Sequence, residues 1–280
     1  MMRAWQDGRI IALDDAHVSI ADRGLLLGDG VFETMAVSDS RIFDLDAHLD
    51  RLASGLDVLG FTGSVDIAKL RSGIASFIAA KDASCGVLRL TVTRGTGPRG
   101  LAPPEAPHPT IFMTLSPMPA ARKTPLSLYI ATVTRRNEHS PLACIKALPY
   151  LDNVLALSEA RAKGAEDALM LNTRGTIACA SGANVFVIRD VRLETPPAGD
   201  GALPGTMRAL VLSLAKQAGL APVEKSLDAN DLAAADHVFL TNSINRVVEA
   251  SECNGLPLGR RVGDAIVRLR ALIAAKFDAG

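Results

Sequence analysis

The sequence predicts a two-lobed protein of mixed α/β (α+β) class. Strand-like and helix-like runs follow one another without the regular alternation of a doubly wound parallel sheet. A polar stretch with two prolines, SPMPAARKT at 116–124, breaks the pattern near the middle and reads as a linker. The length, 280 residues of which 48% are hydrophobic, suffices for one large core or two modest ones. We therefore expect an N-terminal α/β domain over 1–119 and a C-terminal α/β domain over 120–280.

Taken in order, RIIAL at 9–13 reads as a short strand, and VFETMAV at 31–37 as another. A hairpin partner begins at Arg41 across the turn Ser38-Asp39-Ser40. Leu45, Leu49, Leu52, Leu56 and Leu59 recur at helical spacing, with Asp46 as the expected N-cap and Gly60 as the stop. A second helix covers about 66–80, and strands cover 87–93 and 110–115. Between those strands RGTGPRGLAPPEAPHP is too rich in Gly and Pro for an element interior. Beyond the linker we expect strands at 126–133, 168–171, 183–188 and 237–241, with helices at 153–163, 205–219 and 262–277. No internal repeat or low-complexity tract stands out.

Thirty basic residues against thirty acidic ones, with no block of like charge, disfavour a nucleic-acid partner. The start MMRAWQDGRI has no apolar signal core, and the longest apolar runs, near Leu210 and Leu272, are far shorter than a membrane span. A cytoplasmic protein without a membrane partner is expected. Cys85, Cys144, Cys179 and Cys253 lie far apart with no CxxC pair, so neither a structural zinc nor a disulfide framework is indicated. His17, His48, His108, His139 and His237 show no metal-ligand spacing, and sequence order alone supports no Ser–His–Asp arrangement.

Five segments could carry chemistry. Lys146 lies in the mostly apolar CIKALPYLDNVLAL, where its charged form is disfavoured and its amine could attack a carbonyl. An isolated lysine is more often one that keeps its ammonium in water. LPGTMRAL opens a helix behind Gly205, so the amides of Thr206 and Met207 could meet a phosphate, although an ordinary helix start looks the same. Thr241, Asn242 and Ser243 end a strand and suit either phosphate oxygens or a turn. Arg51 could grip a phosphate from the leucine-rich helix or lie on its solvated face. RGTGPRG at 94–100 lacks the order of a nucleotide loop. It fits an arginine-bearing flap over a carboxylate substrate better, with a mobile surface hairpin as the plain alternative.

In order along the chain, DRGLLLGDGVFETM, FDLDAHLDRL, KALPYLDNVLALSEARAKGAEDALML, GTIACASGANVFVI, ALPGTMRALVL and HVFLTNS resemble the class IV aminotransferase family of pyridoxal-phosphate enzymes. That family includes branched-chain and D-amino-acid aminotransferases and aminodeoxychorismate lyases. The resemblance implies a two-domain fold-type IV enzyme with the cofactor between the domains, a homodimer, and Lys146, on the C-terminal domain, as the Schiff-base lysine. It implies that Arg51, Thr206, Met207, Asn242 and Ser243 meet the cofactor phosphate, that Leu203 packs on the ring, and that Tyr150 lies near it. Arg99, Phe32 and Thr34 fall at substrate-binding positions. Cys179 departs from the pattern, for it stands where the family carries a glutamate against the pyridine nitrogen. A carboxylate keeps that nitrogen protonated and the ring a strong electron sink, which a thiol does less well.

TRGTGPRGLAPP resembles the loop of the lyase subgroup. The leading expectation is thus an aminodeoxychorismate-lyase-like enzyme, which removes pyruvate to give 4-aminobenzoate. A D-amino-acid or branched-chain transaminase is the alternative. The lysine and phosphate cup speak against a third reading, a non-catalytic binding protein on the same fold.

Overall fold

The computed structural model describes residues 3–61, 63–81, 85–122, 124–259 and 264–279. Two compact units emerge: Met1–Pro119 with Ile145–Pro149, and Ala120–Cys144 with Tyr150–Gly280.

The first unit holds β1 (Arg3–Gln6), β2 (Arg9–Ala12), α1 (Arg23–Leu27), β3 (Gly30–Ser38), β4 (Arg41–Ile42), α2 (Leu45–Val58), α3 (Ile67–Lys81), β5 (Cys85–Thr93) and β6 (Thr110–Ser116). Its six strands form one antiparallel sheet in the order β2-β1-β6-β5-β3-β4. Alternation in β3 sends Val31, Met35 and Val37 into the core with Leu49, Leu52 and Leu56 of α2 and Leu70, Ile74 and Phe77 of α3. Asp7 and Gly8, both at positive φ, make the tight turn from β1 to β2. The sequence pattern shows β2 but not β1, whose four residues RAWQ are too few for a clean alternation. Asp44, not Asp46, caps α2; it takes the left-handed conformation, and Asp46 falls in the first turn.

The second unit contains β7 (Leu126–Ile130), α4 (Leu151–Ala162), β8 (Asp167–Leu171), β9 (Ile177–Ala180), β10 (Asn184–Arg189), β11 (Arg192–Thr195), α5 (Thr206–Leu214), β12 (Ala221–Glu224), α6 (Ala229–Ala233), β13 (His237–Asn242), β14 (Arg246–Cys253), β15 (Leu256–Pro257) and α7 (Asp264–Ala279). Its strands run β12-β11-β10-β13-β14-β7-β8-β9, with β15 paired to β14. The sheet is mixed, with parallel pairs β11–β12, β14–β7 and β7–β8 among antiparallel ones. One core lies among β10, β13, α5 and α7, where Phe186 and Phe239 stack with centroids 5.1 Å apart. Short strands such as β9, β11 and β12 are too brief for a period to show in the sequence.

One expectation is corrected here. The sequence reading puts Lys146 in the C-terminal domain, yet Ile145–Pro149 packs with the first unit. Ala147 bridges to Val31 of β3, Phe32 N–H donates to the Lys146 carbonyl at 2.9 Å, and Leu148 N–H donates to Gly30 at 3.0 Å. Backbone pairing, invisible in composition, draws a five-residue piece back onto the first sheet.

Candidate active site

In the first unit Lys146 is held by these bonds beside β3. Its Nζ lies 4.3 Å from the centre of the Phe32 ring, and the Arg89 guanidinium lies 3.9 Å from the same centre. Burial, reinforced by nearby Arg51 and Arg89 and opposed by Glu33, lowers the Lys146 pKa to about 8. About a tenth of the amine is therefore unprotonated at pH 7, far more than for an ordinary lysine, and that is the state that attacks a carbonyl.

Beneath this pair sits a buried ionic cluster. Glu33 is inaccessible to solvent. It accepts from Arg51 Nε at 2.8 Å and Nη2 at 2.6 Å, and meets His48 Nδ1 at 2.7 Å. Burial alone would raise the Glu33 pKa, but the bonds from His48 and Arg51 hold it below the usual carboxylate range. Arg51, expected on a phosphate, thus spends Nε and Nη2 on Glu33, and the fork is fixed before any ligand arrives. Thr34 follows Phe32 on the same face of β3 and pairs in register with Arg89 of β5.

Arg89, Glu33 and His48 escaped the sequence reading. The only signal was alternation: Phe32 and Thr34 face one way along β3 and Glu33 the other, but which strand supplies the neighbour is a matter of register. His48 and Arg51 are three apart on α2, one helical face, a weak hint in an amphipathic helix. Arg99 stands exposed on the loop between β5 and β6.

The second unit places another group of expected residues together. Gly205, the N-cap residue of α5, is extended and has no side chain with which to cap the first helix amides. A Cβ at Gly205 would lie 2.2 Å from Asn184 Oδ1, which excludes larger residues. Asn184 Nδ2 in turn donates to the Leu203 carbonyl at 2.8 Å and pins the turn ahead of the helix. The hydroxyls of Thr206 and Ser243 lie 3.3 Å apart. Met207 is buried in the core, so what it can offer an anion is its backbone amide. Thr241 Oγ1 is buried with no hydrogen-bond partner among the described residues. Uncapped amides, paired hydroxyls and the positive end of a helix dipole fit a phosphate group. Asn242 behaves otherwise than expected: its Oδ1 accepts from Ile244 and Asn245 N–H and its Nδ2 donates to Gly182, so its side chain builds the turn. Tyr150 is the N-cap residue of α4.

Cys179 lies on β9, buried against Ala131, Ala156, Ala160, Ala168 and Met170. Burial raises its thiol pKa; Arg136 opposes this and Asp167 adds to it. It is a neutral thiol at physiological pH. Among the described residues no group of three or more His, Cys, Asp or Glu is placed to hold a metal, and no helix is long and apolar enough to cross a membrane.

Comparison with known proteins gives this arrangement its class. Residues 30–253 match the model of the family described as amino-transferase class IV, and the chain belongs to that family. It is 32% identical over 271 residues to a putative branched-chain-amino-acid aminotransferase of Methanocaldococcus jannaschii, covering 96% of this chain and 94% of that one. Its fold matches the crystal structure of 4-amino-4-deoxychorismate lyase from Pseudomonas aeruginosa with a TM-score of 0.87 and 33% identity, over 97% of this chain and 98% of that one. It also matches a hypothetical aminotransferase from Mycobacterium tuberculosis in its PLP-bound form, with a TM-score of 0.86 and 25% identity, over 99% and 100% of the two chains. The protein is a two-domain fold-type IV enzyme of mixed α/β class whose cofactor is pyridoxal 5′-phosphate.

Proposed function

We propose that this enzyme acts on an amino-bearing carboxylate through Lys146, and that its reaction is the elimination of pyruvate from 4-amino-4-deoxychorismate to give 4-aminobenzoate. The observation that carries the choice of elimination is Cys179, a buried neutral thiol among alanines. Bound pyridoxal phosphate supplies a carbonyl for the amine and an electron sink for charge at Cα. Lys146 Nζ, poised near pH 8 over Phe32, takes the proton from the amine-bearing carbon and gives it to the methylene of the departing enolpyruvyl group, whose C–O bond breaks so that it leaves as pyruvate while the ring becomes aromatic. Arg89, stacked on Phe32, draws the substrate carboxylate toward that amine, and Arg99 meets it from the loop. Thr206, the Met207 amide and Ser243 hold the phosphate, and Leu203 packs on the ring. With a thiol in place of a carboxylate the sink is weaker, which burdens full amino transfer more than expulsion of a leaving group. A D-amino-acid or branched-chain transaminase is the alternative, favoured by the likeness to the Methanocaldococcus protein.

The apolar surface about α1 supports a homodimer: Ile20, Leu25, Leu26 and Leu101 are 86%, 63%, 63% and 82% exposed. Four free cysteines fit a reducing cytoplasm. A panel of 4-amino-4-deoxychorismate, D-alanine, L-leucine and L-glutamate, read for 4-aminobenzoate, keto acid and cofactor absorbance, tests the reaction. The lyase reading expects 4-aminobenzoate with the first and a slow spectral response to the others. Rapid conversion of the cofactor to its amine form by any amino acid would sink it. Sedimentation at micromolar concentration should give twice the chain mass.

A further inference from the structure

Outside the lysine cluster, the first unit contains a second ionic network that no step of the proposed reaction uses. Asp29 Oδ2 accepts from Arg23 Nε at 2.9 Å and Arg94 Nε at 2.8 Å, and both arginine side chains are almost fully buried. The rest of the Arg23 fork closes on a loop: Nη1 donates to the Gly100 and Ala102 carbonyls at 3.1 and 3.2 Å, and Nη2 to Leu101 at 3.0 Å. Arg23 N–H also donates to Gly95 at 2.8 Å. The stem of Arg23 runs under Gly97, where a Cβ would lie 2.9 Å from Arg23 Cδ. A buried guanidinium that caps three consecutive carbonyls fixes that backbone far more firmly than a glycine- and proline-rich loop would fix itself.

The same Asp29 lies on the backbone that holds the lysine. Its neighbours Gly28 and Gly30 pack so tightly on the lysine segment that a Cβ on Gly28 would meet Pro149 Cγ at 2.7 Å and one on Gly30 would meet Leu148 Cδ1 at 2.9 Å. The chain 28–30 is thus pressed to the Lys146 segment on one side and, through the Asp29 carboxylate, tied to Arg23 and the 95–102 loop on the other.

We propose that Arg23 and Asp29 are positioning residues: together they lock the loop that carries Arg99 to the backbone that carries Lys146, and so set substrate affinity. This rests on the reading above that Arg99 meets the substrate carboxylate. The test compares wild-type holoenzyme with Arg23→Lys, Gly97→Ala, Arg99→Gln and the double variant Arg23→Lys/Arg99→Gln. Lysine keeps the charge but cannot cap three carbonyls, and Gly97→Ala lifts the loop off Arg23 while leaving the ion pair intact, so it reports even if Arg23→Lys fails to fold. The probes are 4-amino-4-deoxychorismate and, for the alternative reaction, D-alanine, L-leucine and L-glutamate. With whichever turns over, Arg23→Lys, Gly97→Ala and Arg99→Gln should each raise KM about tenfold with kcat nearly unchanged, the size of one lost charge-assisted contact. The double variant should be no worse than Arg99→Gln alone, because the two act in series. Amide hydrogen exchange at 97–102 should quicken in Arg23→Lys and Gly97→Ala, with cofactor content and absorbance unchanged. An unchanged KM, additive effects in the double variant, or unchanged exchange at 97–102 would each overturn the proposal. Exchange is read without substrate, so a panel in which nothing turns over defeats the proposed reaction while leaving the anchor decided by exchange.

Discussion

Around Lys146 charge is concentrated and paired; around Cys179 the lining is small and apolar. The first region buries Glu33 in contact with both His48 and Arg51 and adds Arg89 on the Phe32 ring. The second packs a thiol among alanines, Met170 and Tyr129, with Arg136 and Asp167 near enough to act on it in opposite senses. A buried ion pair contributes little net stability over apolar packing, so such a cluster is better explained by what it holds in place. On the proposed reading, in which Cys179 meets the pyridine nitrogen, the lysine has charged groups about it that control its proton and the nitrogen faces a neutral thiol. A chemistry that leans on a proton shuttle and less on an electron sink is what such a division favours.

The strongest break of this comparison is removal of the amine. Lys146→Ala should abolish the absorbance of covalently held cofactor after dialysis and lower turnover by at least about 10²–10⁴-fold, the weight of a positioned acid–base group. Residual turnover within tenfold of wild type would show that another group moves the proton. Next comes Glu33→Gln, which leaves Arg51 and His48 buried without their anion. It should destabilise the chain by about 3–5 kcal/mol, read from urea midpoints. A loss below about 1 kcal/mol, the worth of an exposed pair, would mean that water reaches the cluster.

Much of this was legible in the sequence, and what was not has a common cause. Leucine spacing announced α2, and β-branched and aromatic runs announced β3, β5 and β6, because period and burial are written locally. Lys146, Arg51, Thr206 and Ser243 were legible through ordered motifs and not through their own surroundings. Arg89 was missed because its partner Phe32 is 57 residues away in the chain and only register joins them. The role of Arg23 as an anchor was hidden for the same reason, since its three acceptors are carbonyls, which carry no sequence signature.

Replacing the thiol sharpens the comparison from the other side. Cys179→Glu puts a carboxylate into an alanine-lined space with only Arg136 acting on it favourably. Without cofactor this should destabilise the chain by about 1–3 kcal/mol, as an imperfectly paired buried polar group does. With cofactor the loss should shrink, and the spectral half-reaction with D-alanine or L-glutamate should quicken about tenfold. Unaltered half-reaction rates would remove Cys179 from the account of why elimination is favoured.

The smallest effect is on the pH dependence of the cofactor-free chain. Lys146 is lowered to about 8 from an ordinary 10.5, so between those values the unfolded chain binds the extra proton and the folded chain does not. Stability should therefore rise with pH from about 8 to about 10.5, and the penalty of a buried ammonium should be present in full below pH 8. Lys146→Met removes this slope without removing the packing of the stem. Urea midpoints of wild type and Lys146→Met, measured without cofactor from pH 7 to pH 10.5, should differ most at pH 7 and converge as the pH rises. The rate at which the cofactor-free protein captures added pyridoxal phosphate should climb over the same range with a midpoint near 8, because only the neutral amine attacks. Parallel stability curves together with a capture midpoint near 10.5 would mean that neither burial nor Arg51 and Arg89 lowers the Lys146 pKa, and that the lysine's surroundings do not control its proton.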